Sequence, residues 1–452
     1  MHKKSLAALL CALICVCILC GCTGGAKLDP KNPLTITLWH NYGGQMQKTM
    51  DELVDEFNMG PGREQGIVVS VTSISAMKEQ EEKLALIAAG APGAEDMPDI
   101  VTAYPGTALL LSARGLLAAL DAHFTQDELS AYVPQFIEEG RLADGRLYVF
   151  PIAKSSEVLY LNQTLFDRFS AATGVTVGSL ATFEGIAEAA VKYYEWTDSQ
   201  TPDVAGDGKA FYTADSWFNI AQVGMAQLGG EFVEPERLRL DAPEYQRIWD
   251  FCLPPALSGG YAVIDGYSSD LSKTGDIVCS TGSTAGILFY GDRITYPDNT
   301  EEQIDYSILP YPVFAGGEKV AIQRGAGMAV AASTPEKEYA ATLFLKWFTD
   351  PAQNIRFVSS TGYLPVTNRA YAEIMERGGS AENPNIEKLL QTAIGMHSEY
   401  SFITAPNYES FTEISKEYEK SLKKAMQSGR QRVQSGEDPA EVSRALHEGF
   451  IG

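Results

Sequence analysis

Basic residues are scarce in this chain. Its 452 residues include 35 lysines and arginines against 58 aspartates and glutamates, a formal net charge of −23. Removing residues 1–21 as a leader takes away Lys3 and Lys4 and no acid. The remainder then has 33 basic and 58 acidic residues and a net charge of −25. Nucleic acids and anionic lipid surfaces are bound through lysine and arginine, so this balance argues against both as electrostatic partners.

Cysteine is scarce beyond the first 22 residues. Of the seven cysteines, four lie within residues 1–21, one is Cys22, and only Cys252 and Cys279 remain in the body of the chain. An oxidising compartment would permit a disulfide between these two. Their positions in the sequence do not show whether they are close in space, so the pairing stays open.

The N-terminal apolar run is too short to span a bilayer comfortably. Leu6–Leu19 has 14 residues, whereas a spanning helix needs about 20. The run follows His2-Lys3-Lys4 and ends in Leu19-Cys20-Gly21-Cys22, the pattern of a secretory signal peptide. The last four residues resemble the bacterial lipobox, with Cys20 where Ala, Ser or Thr is usual. This implies a lipoprotein, acylated (palmitate) at Cys22 and held on the extracellular face of the cell membrane; an uncleaved anchor and plain secretion are the alternatives.

The motifs of common enzymes and metal sites are missing. There is no Walker loop and no complete dinucleotide-binding glycine pattern, and Gly282–Gly286 has its serine one position too early for a nucleophile elbow. The five histidines lack zinc-ligand spacing. Asp203 and Asp207 lack EF-hand spacing, so a plain turn is the simpler interpretation and calcium binding stays open. Acidic pairs such as Glu81-Glu82 lie in charged stretches and do not form a convincing catalytic pair. Since these motifs are missing, we expect no enzyme, no cofactor and no metal.

Alternating strands and helices are what the chain does contain. Its roughly 430 mature residues exceed what one hydrophobic core usually serves, so we expect two lobes. Residues 22–33 are polar and predict a flexible tether. Leu34–Trp39 alternates as in a strand, Met46–Phe57 has helical spacing, and Thr334-Pro335 predicts the start of a later helix. This order predicts an α/β fold with a mostly parallel sheet.

Four segments in chain order carry a family resemblance. The third is the most specific, with Asp144-Gly145-Arg-Leu-Tyr148-Val-Phe-Pro151 leading into Val158–Phe166. The four segments are Ile36–Asn58, Met97–Asp121, Asp144–Phe166 and Gly325–Val366. Together they resemble the extracellular solute-binding proteins of bacterial ABC importers, the family that includes maltose-type sugar binders. The resemblance implies a two-lobed, type II periplasmic-binding-protein-like fold, in which hinge strands join discontinuous lobes and the ligand lies between them.

An interrupted strand predicts where the chain crosses between the lobes. Tyr148–Ile152 and Val158–Leu161 are apolar, whereas Ala153–Glu157 between them is polar or small and cannot be buried in a core. We expect this middle to face a cleft, with an ordinary surface loop as the alternative. With further crossings near Pro310 and Asp350, lobe 1 would comprise residues 34–152 plus 312–350, and lobe 2 residues 153–311 plus 351–452.

The candidate ligand contacts follow strand ends and crossings, because open α/β sheets bind ligands at the carboxyl ends of their strands. Aromatic rings at such positions can stack on a sugar face. One expected wall holds Trp39, His40, Asn41, Tyr42 and Tyr104; the resemblance implies Trp217 and Tyr290 on the other; Lys154, Ser155 and Ser156 form the base; Arg324 and Tyr363 are further candidates. Simpler interpretations are core packing for Trp39, Trp217 and Tyr363, a turn for Tyr104, and plain surface exposure for Arg324.

The expected function is that of a membrane-anchored extracellular receptor. It would capture a small solute by hinge closure and pass it to the permease subunits of an ABC importer, with a sugar or oligosaccharide as the leading ligand. Two alternatives belong to other classes. A secreted glycan-acting hydrolase would need an essential carboxylate pair, and an adhesive surface lipoprotein would lack a small-molecule cleft.

Overall fold

The computed structural model describes residues 28–74, 76–234, 237–325, 327–378, 381–406 and 411–451. The expected leader, Cys22 and the first part of the tether lie outside these residues. The strands are β1 Leu34–His40, β2 Ile67–Ser73, β3 Ile100–Ala103, β4 Val149–Pro151, β5 Glu157–Asn162, β6 Tyr212–Ala214, β7 Val233–Glu234, β8 Arg237–Leu238, β9 Cys279–Ser283, β10 Arg293–Thr295, β11 Glu301–Gln303, β12 Tyr306–Leu309, β13 Val320–Gln323, β14 Gly327–Val330 and β15 Ser401–Thr404.

Among the described residues, helices outnumber strands and pack on the sheets. They are α1 Gly44–Met59, α2 Pro61–Gln65, α3 Met77–Ala88, α4 Pro105–Ser112, α5 Gln126–Ser130, α6 Pro134–Glu139, α7 Gln163–Thr173, α8 Phe183–Asp198, α9 Trp217–Gln227, α10 Pro243–Ser258, α11 Ser268–Thr274, α12 Pro335–Phe348, α13 Pro351–Thr361, α14 Asn368–Arg377, α15 Pro384–Glu399, α16 Phe411–Gln434 and α17 Pro439–Ile451. At the start of α12, Thr334 accepts a hydrogen bond from the Lys337 amide and Pro335 occupies the first turn, so the predicted helix start is confirmed.

The first sheet has the strand order β2-β1-β3-β14-β4. β1 pairs in parallel with β2 and β3, whereas β14 runs antiparallel to both β3 and β4. The alternation predicted for β1 is present, because Ile36 and Leu38 are fully buried while Thr35 and Thr37 are exposed. Two of its four strand pairs are therefore parallel, so the expected mostly parallel sheet is limited to β2, β1 and β3. The carboxyl edge of these strands carries the segments that follow β1 and β3.

The second sheet has the strand order β12-β5-β9-β6. Its pairs are antiparallel except for β6 with β9, so the predicted parallel character does not extend to this half of the molecule. All six residues of β5 are buried, including the charged Glu157 at its start. Cys252 in α10 and Cys279 in β9 are buried free thiols. The disulfide between them that the sequence left open is therefore not formed in this structure.

Three segments cross between the two sheets side by side. Ser155 and Arg324 exchange two backbone hydrogen bonds of 3.0 and 2.7 Å, and Lys154 and Leu364 exchange two of 3.0 and 2.6 Å. The first crossing therefore lies at the interrupted strand between β4 and β5. The other two lie near residues 324 and 364, not near Pro310 and Asp350 as the sequence analysis expected.

Two segments consequently pack with a different sheet from the one to which the sequence analysis assigned them. β13 lies with the second sheet, since the Val320 carbonyl accepts a hydrogen bond from Gln227 of α9. Helix α13 lies with the first sheet, because Arg356 pairs with Glu52 of α1 and Phe357 contacts Tyr42 edge-on. None of the helices in the described ranges combines the length and the apolar character that a membrane span requires.

Candidate functional site

A cavity of about 760 Å³ lies where the two halves of the molecule face each other. Tyr104, Pro105 and Glu139 line it from the side of the first sheet, and Arg324 lines it from the crossing segment. The opposite side is lined by Asp215, Ser216, Phe218 and Asn219 at the start of α9, and by one face of α16. A volume of this size is within the range of small-molecule sites, about 300–1,000 Å³.

Three cations in or beneath this cleft each have an acidic partner. Arg324 lies 3.0 Å from Glu157, Lys154 lies 2.9 Å from Glu139, and Lys423 of α16 lies 3.5 Å from Glu419. Burial lowers the pKa of Lys154, and the nearby Glu139 carboxylate opposes this change. The floor is therefore rich in hydrogen-bonding groups but has little net charge.

Helix α16 supplies the outer wall of the cleft. Its face toward the cavity carries Phe411, Ser415, Lys416, Glu419, Lys420, Lys423, Lys424 and Gln427. Glu419 fixes this helix to α9, because its carboxylate accepts hydrogen bonds from the amides of Trp217 and Phe218 at 3.2 and 2.8 Å. A carboxylate at a helix N-terminus is stabilised by the unpaired amides and the helix dipole. Lys416 and Lys424 are exposed, and neither forms an ion pair with another described residue.

The two halves approach each other at the rim of the cleft. Burial raises the pKa of Glu81, on α3 beside the first sheet, and the positive charge of Lys416 on α16 opposes this shift. The charge of Arg324 likewise acts on Tyr104. The cleft is thus bounded by groups whose charges interact across the gap.

Of the twelve predicted contacts, Tyr104 and Arg324 line the cavity. Tyr104 is half-buried, and a hydrogen bond from Asn41 acts against the rise in its pKa that burial causes. Asn41 is also half-buried and accepts a hydrogen bond of 3.2 Å from Thr102. The side chain of Arg324 is 42% exposed. Asn41 and Tyr104 directly follow β1 and β3, and Arg324 lies at a crossing.

The predicted base residues are buried beneath the cavity at the first crossing, so the expectation that this segment cannot be buried is wrong. Their polar groups have hydrogen-bonding partners. Lys154 donates a hydrogen bond of 2.9 Å to the Gly325 carbonyl in addition to its pairing with Glu139. Ser156 donates to the Ile322 carbonyl at 2.9 Å, and Ser155 contributes its backbone to the pairing with Arg324. In this conformation the three residues join the crossing strands to each other.

The other residues of the first wall pack inside the lobe. Trp39 is 7% exposed within a core cluster, and His40 is fully buried with Nδ1 accepting a 3.2 Å hydrogen bond from the Tyr42 amide. Burial lowers the pKa of His40 to about 4. The Tyr42 ring meets Tyr363 edge-on at 6.1 Å, and both rings contact Phe357. These side chains pack inside the lobe around the end of β1.

The two aromatics expected on the second wall are also buried. Trp217 is 1% exposed and its ring packs against Tyr212, Phe251 and Tyr261. Tyr290 stacks on Tyr160 with the ring centroids 4.2 Å apart. Its hydroxyl group is hydrogen bonded to Ser268 and Ser280. The simpler interpretation, core packing, describes the position of both rings.

Sequence reasoning placed Glu157 in the interrupted strand but gave it no role in the site, and it missed the α16 face. A glutamate beginning an apolar strand is a signal that could have singled out Glu157, because a carboxylate buried in such a strand needs a partner. The polar face of α16 gave no such signal, since the sequence shows its helical period but not what that face meets. Within the described ranges, no group of three histidine, cysteine or acidic residues could hold a metal ion.

A cleft lined from two α/β halves joined by three crossing segments is the arrangement of a solute-binding protein. The chain belongs to the family of bacterial extracellular solute-binding proteins, whose sequence profile matches residues 52–387. It is therefore an extracellular binding protein and not an enzyme, and this prediction from the sequence is confirmed.

Individual relatives are distant but match over most of their length. The sn-glycerol-3-phosphate-binding periplasmic protein UgpB of Rhizobium meliloti (strain 1021) is 25% identical over 377 residues, which cover 79% of this chain and 81% of the relative. UgpB of Escherichia coli (strain K12) is 25% identical over 376 residues, covering 78% and 79%.

Solved structures confirm the predicted fold. The cyclic alpha-maltosyl-1,6-maltose binding protein of Arthrobacter globiformis aligns with a TM-score of 0.67 at 17% identity, covering 93% of this chain and 98% of that one. UgpB of Mycobacterium tuberculosis, solved with glycerophosphocholine, aligns with a TM-score of 0.64 at 21% identity, covering 93% and 98%. The type II periplasmic-binding-protein-like fold predicted from the sequence is thereby confirmed.

Proposed function

We propose that this protein is a lipid-anchored receptor that captures a small polyhydroxylated solute, a sugar or oligosaccharide, and delivers it to the permease subunits of an ABC importer. The observation that carries the proposal is the 760 Å³ cleft, whose floor is polar while its deep cations are paired. A neutral polyol needs donors and acceptors together. Guanidinium–carboxylate and ammonium–carboxylate pairs offer both without a net charge.

Capture would occur by rotation of two lobes about the crossing segments. Lobe 1 would comprise the first sheet with α12 and α13, and lobe 2 the second sheet with β13, α9 and α16. A solute that contacts both walls binds the closed form better than the open one and shifts the population toward it. The paired backbones near residues 154, 324 and 364 support this hinge.

Carbohydrate is the leading ligand class for two reasons. The cavity offers apolar ring surface at Tyr104, Phe218 and Phe411 beside its hydrogen-bonding groups, and sugars present both apolar faces and hydroxyls. In addition, related structures bind carbohydrates, among them the cyclic alpha-maltosyl-1,6-maltose binding protein and an ABC substrate-binding protein of Listeria monocytogenes in complex with cycloalternan. The second of these also supports an ABC importer as the partner.

A phosphorylated polyol is the second candidate. It is favoured by the half-exposed guanidinium of Arg324 and by the exposed lysines Lys416, Lys420 and Lys424 of α16. The curated relatives bind sn-glycerol 3-phosphate by name. Lysines at the rim would attract such an anion, whereas the paired charges of the floor would attract it less. The charge of a phosphorylated ligand would therefore be held at the rim.

Membrane attachment would come from the lipid on Cys22 and not from charge. The mature chain carries a net charge of −25 after removal of residues 1–21, which disfavours contact with anionic lipids. The polar segment 22–33 would hold the binding body away from the surface.

The test is a thermal-shift screen followed by calorimetry, with maltose, larger maltooligosaccharides, glycerol, sn-glycerol 3-phosphate and sugar phosphates. A ligand at 100 times its Kd stabilises the folded state by about 2.7 kcal/mol, which is readily measured. For any compound that binds, Tyr104→Ala should weaken binding, because Tyr104 lines the cleft. Tyr339→Ala, which removes a 39% exposed ring on α12 outside the cavity lining, should not. Equal affinity in both variants would contradict the cleft as the binding site, and products appearing from a sugar substrate would favour the hydrolase alternative.

A further inference from the structure

A buried carboxylate lies directly behind the arginine of the cleft floor. Glu157 begins β5 and its side chain is 2% exposed, whereas that of Arg324 is 42% exposed. The Arg324 Nη1 group donates a hydrogen bond of 3.0 Å to Glu157 Oε1, and Asn219 Nδ2 donates one of 2.6 Å to the same oxygen. The arginine is thus held from below while its exposed side faces the cavity.

The position of Arg324 is fixed by its backbone as well. Its amide and carbonyl groups are both hydrogen bonded to Ser155 at the crossing. Glu157 is the acidic partner of its side chain among the described residues. The guanidinium donors that Glu157 does not use are therefore available to a solute in a fixed place, which is the condition for selective recognition.

The carboxylate and the guanidinium depend on each other electrostatically. Burial raises the pKa of Glu157, and the charge of Arg324 together with the hydrogen bond from Asn219 opposes that shift. A charge buried without its partner is costly, so the two groups act as a unit with no net charge. Other acids near the cleft do not share this role: Asp215 accepts hydrogen bonds from the Ser268 amide and hydroxyl groups.

We propose that Glu157 is a specificity-determining residue that sets the charge of the solute this cleft accepts. By cancelling the charge of Arg324 from beneath, it makes the floor suited to neutral polyols and unsuited to phosphate-bearing ones. The inference rests on the proposed function in that it takes the cleft as the solute site. It assigns to one residue outside the cavity lining the choice between the two ligand classes considered above.

The test replaces Glu157 by glutamine, which keeps the shape and an oxygen acceptor but removes the charge. Binding of sulfate and of sn-glycerol 3-phosphate, measured by calorimetry at low ionic strength, should strengthen at least about tenfold relative to the wild type, because an uncompensated guanidinium then faces the cavity. The wild type should bind both anions weakly. Adding Arg324→Gln to Glu157→Gln should abolish the gain, since Glu157 acts through Arg324.

Asp215→Asn is the matched control, since it removes one negative charge from the cleft wall without touching Arg324, and its gain in anion affinity should be clearly smaller. Circular dichroism and the melting temperature establish that each variant is folded. If Glu157→Gln does not fold, Glu157→Asp retracts the carboxylate by one methylene and should produce part of the gain.

Three results would overturn the proposal: tight anion binding by the wild type, no gain in a folded Glu157 variant, or an equal gain in Asp215→Asn. The sulfate measurement does not require the natural solute. Failure of every sugar to bind would therefore count against the proposed function, whereas the sulfate measurement would still decide the role of Glu157.

Discussion

Replacing Trp217 by alanine should destabilise the protein strongly and leave ligand affinity nearly unchanged. The ring is 1% exposed and lies 5.6–6.5 Å, centroid to centroid, from the rings of Tyr212, Phe251 and Tyr261. Truncating a buried tryptophan to alanine costs about 3–5 kcal/mol, through lost transfer free energy and the cavity that remains. The three ring contacts place this site toward the upper part of that range, since aromatic pairs add to the effect of burial.

The assay is urea denaturation followed by far-ultraviolet circular dichroism, with ligand affinity measured on the folded fraction. Tyr267→Ala is the matched control, because that ring belongs to the same half of the molecule but is 73% exposed. Its unfolding free energy should change by no more than about 0.5 kcal/mol.

The reasoning about Trp217 would be refuted by the opposite pattern. If Trp217→Ala unfolds at the wild-type urea concentration but binds ligand tenfold more weakly, the ring reaches the solute. The family resemblance implied that role, and the ring would then be buried only in the conformation that the structure describes.

Three further predictions concern the buried charges and the leader. Lys154→Met leaves the Glu139 carboxylate without its 2.9 Å partner and should lower the unfolding free energy by about 3–5 kcal/mol, much of which the double variant Lys154→Met/Glu139→Leu should restore. Burial lowers the pKa of His40 and of His397 to about 4 from 6.5, so the unfolded chain binds protons that the native state does not. The stability they contribute is therefore complete above pH 6.5 and lost as the pH falls toward 4, at up to about 1.4 kcal/mol per pH unit for each histidine. In His397→Phe the dependence measured by denaturation should be shallower, and an unchanged slope would contradict the assignment. Cys22→Ser should release the protein from the membrane fraction, and mass spectrometry of the wild type should find an acylated Cys22; an unmodified cysteine would disprove the anchor.

Local patterns predicted the parts of this fold that local interactions determine. The alternation from Leu34 to Trp39 specifies a half-buried strand, and the Thr334-Pro335 pair specifies a helix start whatever surrounds it. The parallel order of β1, β2 and β3 follows from helical crossovers between them. The antiparallel pairing of β14 between β3 and β4 joins segments far apart in sequence, and no local pattern encodes it.

The candidate site was less predictable because side-chain direction is a tertiary property. The segment Ser216-Trp217 fits a capped helix in either interpretation, since Ser216 caps α9 and the ring can point inward or outward. The packing of Tyr212 from β6, Phe251 from α10 and Tyr261 from the segment after α10 decides that it points inward. Likewise the period of α16 separates its buried side, with Leu422 and Met426, from its charged side without revealing that the charged side faces a cleft.

The positions of the tryptophans determine which changes intrinsic fluorescence can detect in this protein. Trp39, Trp217 and Trp249 are buried, Trp196 and Trp347 are half-buried, and no tryptophan is among the described residues that line the cleft. Intrinsic emission should therefore change greatly on unfolding and little when a solute enters, so a silent fluorescence titration would not indicate an empty cleft. Trp217 is the partial exception, because its amide is hydrogen bonded to Glu419 of the cleft wall. A variant that keeps this indole alone would give a spectroscopic signal for the movement of α16.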